Sequence, residues 1–141
     1  MSVRQRVPVS SIMTTNLVVL NKTDGLEEAE RLFKSRGIRH IPVIEGKRII
    51  GMLSLTDLLR ISFADGTWED DGNVGTVVYN MFTVPQVMSK QVETVGSDTT
   101  IKEVAEILAK REFHAIPIVD NGELVGIVTT TDLINYLLEQ Y

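Results

Sequence analysis

Apolar residues in this chain alternate between short runs and helical stripes, and the same alternation occurs twice. Residues 17–20 form a brief apolar run, read as a strand. Thr23, Asp24 and Gly25 follow, with Glu27 three positions after Asp24, an arrangement that approximates a helix-start cap. Leu26, Ala29, Leu32 and Phe33 then recur at helical spacing with charged residues between them. Gly37 stands where a left-handed helix end favours glycine. Residues 41–44 read as a buried strand, 45–47 as a turn and 49–53 as the returning strand, after which Thr56 and Asp57 can cap a second helix from Leu58 onward. Farther along, 92–95 is again a strand. Ser97 and Asp98 open a helix carrying Ile101, Val104, Ala105, Ile107 and Leu108. Runs 116–119 and 124–128 flank Asn121-Gly122, a pair that favours a tight hairpin turn, and Asp132 opens the last helix.

The two passages are copies. Met88, Pro117, Gly126 and Asp132 each stand 75 positions after Met13, Pro42, Gly51 and Asp57, in ungapped register from Val9/Val84 to Leu59/Ile134. Such a period marks one supersecondary unit used twice. The predicted class is α/β: two β-α-β-β-α repeats, 9–62 and 84–138, packed as a pseudo-two-fold intramolecular pair and joined by a connector, 63–83. Each first β-α-β connection should cross over right-handed. A copy of about 55 residues is marginal alone, so two copies sharing a core are favoured. The connector carries Gly66, Gly72, Gly75 and the acidic run Glu69, Asp70, Asp71. Val77, Val78, Tyr79, Met81 and Phe82 are apolar enough to pack as a short helix. Trp68, the one tryptophan, reads either as a loop anchor or as a partner contact.

Composition narrows the function. The 141 residues, 43% hydrophobic, fit one compact domain. A net charge of −5 argues against a general nucleic-acid binder, while a few local Arg and His residues still suffice for a small anion. With no cysteine there is no disulfide, thiolate zinc site or thiol nucleophile, which is compatible with a cytoplasmic setting. No apolar stretch precedes Pro8 and no run approaches the ~18 residues of a membrane span, so neither a signal peptide nor a span is expected.

Three recurring elements can carry chemistry. Gly51-Met-Leu-Ser54-Leu-Thr56-Asp57 is echoed by Gly126-Ile-Val-Thr129-Thr-Thr131-Asp132. Here a hydroxyl at a strand end and a carboxylate three residues on face the mouth between strand and helix. A carboxylate suits the vicinal hydroxyls of a ribose, but Asp57 and Asp132 can equally serve as helix caps. Recurrence of the Ser54/Thr129 hydroxyl with the acid favours a ligand. In the second element Arg39 and His114 share the slot three before Pro42 and Pro117, and both residue types can hold phosphate. Ile38 and Phe113, one position earlier, can wall an aromatic base or belong to the core. Third, the stretch from Met13 to Leu17 is echoed by Met88 to Val92, and exposed backbone there could bond a purine edge.

Taken together these motifs resemble a tandem pair of CBS domains, a Bateman module. The strongest signal is the hydrophobic-Pro strand, the hairpin and Gly-x-x-Ser/Thr-x-x-Asp, at matching spacing in both copies. The resemblance implies a non-catalytic regulatory module that binds AMP, ADP or ATP and signals to a partner protein; S-adenosylmethionine or a dinucleotide is the alternative ligand. It assigns Asp57, Asp132, Ser54 and Thr129 to ribose, and Arg39, His114 and His40 to phosphate. Ile38, Phe113, Leu17, Val92, Pro42 and Pro117 fall to the base. Ser54 replaces the more usual Thr and keeps the hydroxyl, whereas Glu112 stands where the first copy has Gly37 and adds a carboxylate near the second phosphate slot. The family also implies a homodimer assembled through helices. A structural dimerisation module without ligand is the competing reading. An enzyme is disfavoured: the only histidines are His40 and His114, and there is no nucleophile elbow, phosphate loop or metal-ligand spacing. No catalytic residue, metal or catalytic cofactor is expected, and the acidic run 69–71 reads as solvated.

Overall fold

In a computed structural model of the chain, residues 6–65, 81–111 and 114–141 are described. Trp68, the acidic run 69–71, Val77, Val78, Tyr79, Glu112 and Phe113 lie outside them. The chain is α/β and forms two compact units. One draws its described residues from Val18–Val92 and is here the central unit. The other draws on Met1–Leu17 and Glu93–Tyr141 and is the flanking unit. The units are thus cut differently from the repeats, because each takes the leading segment of the other copy.

In the central unit β1 (Leu20–Asn21) pairs in parallel with β2 (His40–Glu45), and β2 pairs antiparallel with β3 (Arg48–Ser54). Helix α1 (Leu26–Arg36) connects β1 to β2, α2 (Leu55–Asp65) follows β3, and a short α3 spans Val84–Val87. The apolar stripe read from sequence is the buried face of α1: Leu26, Ala29, Leu32 and Phe33 pack with Leu20, Ile41, Val43, Leu53, Leu58 and Val84. Gly37 ends α1 in the left-handed region (φ 62°), its N–H donating to the Phe33 carbonyl at 3.2 Å, the geometry for which glycine carries no Cβ penalty.

The flanking unit repeats the plan with α4 (Ile101–Arg111), the hairpin β4 (Ala115–Asp120) and β5 (Glu123–Thr129), and α5 (Thr130–Leu138). Its core is Val9, Val104, Leu108, Ile116, Ile118 and Val128. Asn121 (φ 53°) and Gly122 (φ 82°) both turn left-handed, as a two-residue hairpin matched to strand twist requires. Both hairpins slip register at the same repeat position, between Val43 and Ile44 and between Ile118 and Val119.

Several local expectations shift. The strand expected over 17–20 begins only at Leu20, and of 92–95 only Val95 bridges the hairpin, beside Ile118. Apolarity there reports burial, not ladder hydrogen bonding. Gly25, not Asp24, precedes α1; the Asp24 carboxylate instead accepts the Asn21 N–H at 2.8 Å in a turn. Helix α4 starts after Thr100, whose hydroxyl accepts the Glu103 N–H at 3.1 Å while Glu103 accepts from the Thr100 N–H and hydroxyl. Ser97 is drawn away to Asp120, to which its N–H donates at 3.0 Å and its hydroxyl at 2.5 Å. Helix α2 begins at Leu55, three residues before the expected Leu58.

The N-terminal segment is built into the flanking unit. Val9 donates to the Thr99 carbonyl (2.7 Å) and Ile101 to that of Val7 (2.9 Å). Thr14 and Ile127 exchange both backbone bonds, at 2.8 and 3.0 Å. Met52 and Ser89 exchange the same pair in the central unit, at 3.0 and 2.9 Å.

Candidate functional site

Each hairpin delivers its hydroxyl to a helix start whose first turn carries the carboxylate. In the central unit the Asp57 N–H donates to Ser54 Oγ at 3.0 Å, and the Ser54 N–H donates to Asp57 Oδ2 at 3.3 Å. In the flanking unit the Asp132 N–H donates to Thr129 Oγ1 at 3.2 Å, and the Thr129 N–H donates to Asp132 Oδ2 at 2.9 Å. These are reciprocal capping boxes with Asp at the third position, so the capping role weighed in the sequence is realised at both aspartates. The caps use one carboxylate oxygen each. Asp57 Oδ1 faces the Arg60 guanidinium at 3.4 Å, and Asp57 keeps 23% of its side-chain surface exposed. The hydroxyl groups act as acceptors in the caps, which leaves each O–H able to donate.

Strand pairing brings the second element to the same place. His40 opens β2 opposite Ser54, and Ala115 opens β4 opposite Thr129. The carbonyls of Arg39 and His114 therefore accept the first helical N–H groups, those of Leu55 (2.9 Å) and Thr130 (3.0 Å). The Arg39 and His114 side chains are exposed, His40 is half-buried, and Ile38 is half-buried against the central core. Pro42 and Pro117 are buried within β2 and β4.

The remaining base-wall candidates divide by unit. Leu17, half-buried, belongs to the flanking unit with Thr129, Asp132 and His114. Val92, half-buried, belongs to the central unit with Ser54, Asp57, Ile38, Arg39 and His40. Each unit thus gathers the hydroxyl, carboxylate and cationic slot of one repeat with the leading segment of the other. Sequence periodicity carried no signal for this exchange. It also gave none for the Ser97–Asp120 contact, whose two hydrogen bonds from Ser97, hydroxyl first and backbone N–H second, hold the Asp120 carboxyl below the ordinary carboxylate range. An open groove of about 300 Å³ lies elsewhere, on the outer side of α4, lined by Glu93, Glu103, Glu106, Ile107, Lys110 and Arg111, and it contains none of the candidate ligand residues.

Comparison with known proteins gives a consistent pattern. The family model described as CBS domain matches residues 9–64 and 84–139. The inosine-5′-monophosphate dehydrogenase of Korarchaeum cryptofilum is 30% identical over 87% of this chain, which spans 23% of that enzyme. The chain spans 23% and 46% of the length of two curated relatives and 81% of a third, the CBS domain-containing protein YhcV of Bacillus subtilis. Among solved structures, CBSX2 in complex with AMP is 22% identical with a TM-score of 0.79, covering 95% of this chain and 98% of that one. The CBS domain pair of MJ0100, in complex with 5-methylthioadenosine and S-adenosyl-L-methionine, is 21% identical with a TM-score of 0.76, covering 93% and 99%. These likenesses establish the shared fold.

Proposed function

Because the chain belongs to the CBS-domain family, we propose that it is a non-catalytic regulatory module that binds an adenosine-containing ligand in each unit and signals its occupancy to a partner protein. The observation that carries this reading is the twice-built hydroxyl–carboxylate pair at a hairpin mouth, with the Arg39 or His114 slot hydrogen-bonded beside it. Asp57 and Asp132 accept the ribose hydroxyls through the oxygen that the cap leaves over. Ser54 and Thr129 donate their O–H groups to the sugar or its phosphate. Arg39, with His40, and His114 hold phosphate; Ile38 and Val92 in one unit, and Leu17 and Phe113 in the other, wall the base. Pro42 and Pro117 back the two clefts. The ligands in the CBSX2 and MJ0100 structures share adenosine, which supports adenosine as the common part. An exposed Arg39 beside the central site favours the phosphate-bearing ligands AMP, ADP or ATP there over S-adenosylmethionine. Ligand shifts the module between conformations only by its differential affinity for them. The reading includes a homodimer.

A structural module without ligand is the second reading, favoured by the engagement of both aspartates in caps. Calorimetry separates the two. Wild type should bind AMP or ATP, Asp57→Ala and Asp132→Ala should each remove mainly one site, and Arg39→Ala should weaken ATP more than adenosine. At a hundred times the dissociation constant, ligand should add about 2.7 kcal/mol of stability, readily seen as a raised Tm. A Tm indifferent to every adenosine ligand would leave the scaffold reading standing.

A further inference from the structure

Two glycines and two methionines recur in the repeat with no side-chain or steric role in the proposed ligand contacts, and the fold joins them crosswise. A Cβ added to Gly126 would lie 2.6 Å from Met13 Sδ, 3.1 Å from Met13 Cγ and 3.2 Å from the Thr14 carbonyl oxygen. One added to Gly51 would collide with Met88 Sδ and lie 2.8 and 2.9 Å from its Cγ and Cε. Neither glycine has a positive φ, so backbone conformation does not require it. The requirement is steric: both are buried, and each forms a flat seat on which the other repeat's methionine lies. An unbranched thioether suits a seat of that shape. One residue beyond each contact the backbones lock, Thr14 to Ile127 and Ser89 to Met52. Three residues beyond those bridges the chain reaches Leu17 and Val92, and three residues beyond each glycine stands Thr129 or Ser54.

The geometry points to Met13 and Met88 as positioning residues for ligand binding. Each seats the segment that carries the base-wall residue of the unit whose carboxylate comes from the other repeat. Met13 serves the Asp132 site and Met88 the Asp57 site. The inference rests on the adenosine reading and adds to it a prediction of which site each methionine controls. An ordinary core methionine would lower stability without preferring the site in its own unit.

The test isolates one site at a time by AMP titration of the full chain. In an Asp57→Ala background, Met13→Ala should weaken AMP at least about fivefold, while Met88→Ala leaves it within about twofold. In an Asp132→Ala background the two should exchange roles. Gly126→Ala should weaken the Asp132 site, and adding Met13→Ala to it should recover part of the loss, because the clash goes with the side chain. Hydrogen exchange supplies a ligand-free readout: Met13→Ala should speed exchange at Thr14 and Ile127 and spare Ser89 and Met52. Met13→Leu, which keeps the volume, serves if the alanine variant fails to fold. Binding that weakens equally at both sites, or at neither, overturns the inference alone. Absence of adenosine-ligand binding by wild type overturns the adenosine reading and the positioning role with it.

Discussion

At the level of single residues, one pair of repeat slots is filled by two different chemistries. Ser97 and Asp120 stand 75 positions after Lys22 and Glu45. The first pair is a doubly bonded hydroxyl–carboxylate clasp; the second is an ion pair between two half-exposed side chains, a type that contributes little in water. Both tie the segment that leaves the leading strand position to the end of the hairpin's first strand. Because Ser97 depresses the Asp120 carboxyl, the unfolded chain takes up the proton first as pH falls. The stabilisation is therefore complete above the unfolded carboxylate range, about 4, and is lost as pH falls through the lower folded value. Thermal melts between neutral and pH 3 should show Asp120→Asn with a lower Tm at pH 7 and a smaller acid-induced drop than wild type. Parallel curves would remove this clasp from the acid response. The partnership was not legible in sequence, since its members are 23 residues apart and only the fold joins them. Ser54, Asp57, Thr129 and Asp132 were legible, because their three-residue spacing works locally and occurs twice.

Secondary-structure elements were read well where a local device defines them. The α1 stripe, the Gly37 stop and the Asn121-Gly122 turn each state their own geometry, and the structure places them as expected. Helix starts slid by up to a turn, because this chain offers several Ser, Thr and Asp residues before each helix and packing chooses among them. For α4 the choice fell on Thr100, with Glu103 completing the box. Thr100→Ala should then cost about 1 kcal/mol, read as a drop in Tm, whereas Asp98→Ala at the originally expected cap should cost markedly less. Equal losses at the two positions would mean that α4 starts elsewhere. The leading segments were the least legible elements. An apolar run says that a side chain is buried, and nothing in a repeat says which copy buries it. The Met13–Gly126 and Met88–Gly51 pairs record the exchange in side chains, as the Thr14–Ile127 and Met52–Ser89 bonds do in the backbone, and sequence alone joins neither.

For the molecule as a whole, the two units are unequally covered, and this bears on the proposed homodimer. Leu58 on α2 is fully buried while its repeat mate Leu133 on α5 is only half-buried; Leu32 on α1 is 7% exposed while its mate Ile107 on α4 is only half-buried. Helix α5 buries no residue fully and presents Ile134, Leu137 and Leu138 at 54–63% exposure. At 100° per residue these three share one face, with Asp132 on the opposite side, so the stripe is free of charge. The adjoining α4 suits a second copy in particular. Glu28 is hydrogen-bonded to Arg31 and Glu30 paired with Lys34 along α1, so charge there is balanced within the helix. On α4, after Lys102 in the first turn, the acids Glu103 and Glu106 precede Lys110 and Arg111, and the only ion pair to these five among the described residues is Arg111 with Glu93 at 3.7 Å. Turned antiparallel by a two-fold axis, such a helix sets its acids against the bases of its copy. The expected dimer therefore joins flanking unit to flanking unit, apolar α5 faces inward. Leu137→Glu should raise the dissociation constant at least about tenfold in sedimentation equilibrium, equivalent to about 1.4 kcal/mol. Glu106→Lys should weaken the dimer, and so should Lys110→Glu with Arg111→Glu, while an equimolar mixture of the two variants should reassemble as a mixed dimer; Glu103 stays in place because it closes the α4 cap. Since the chain has no cysteine, Ile107→Cys, close to the axis, should cross-link to itself under mild oxidation. A wild type that stays monomeric, or a dimer that ignores all of these changes, would assign the α5 face to a different partner.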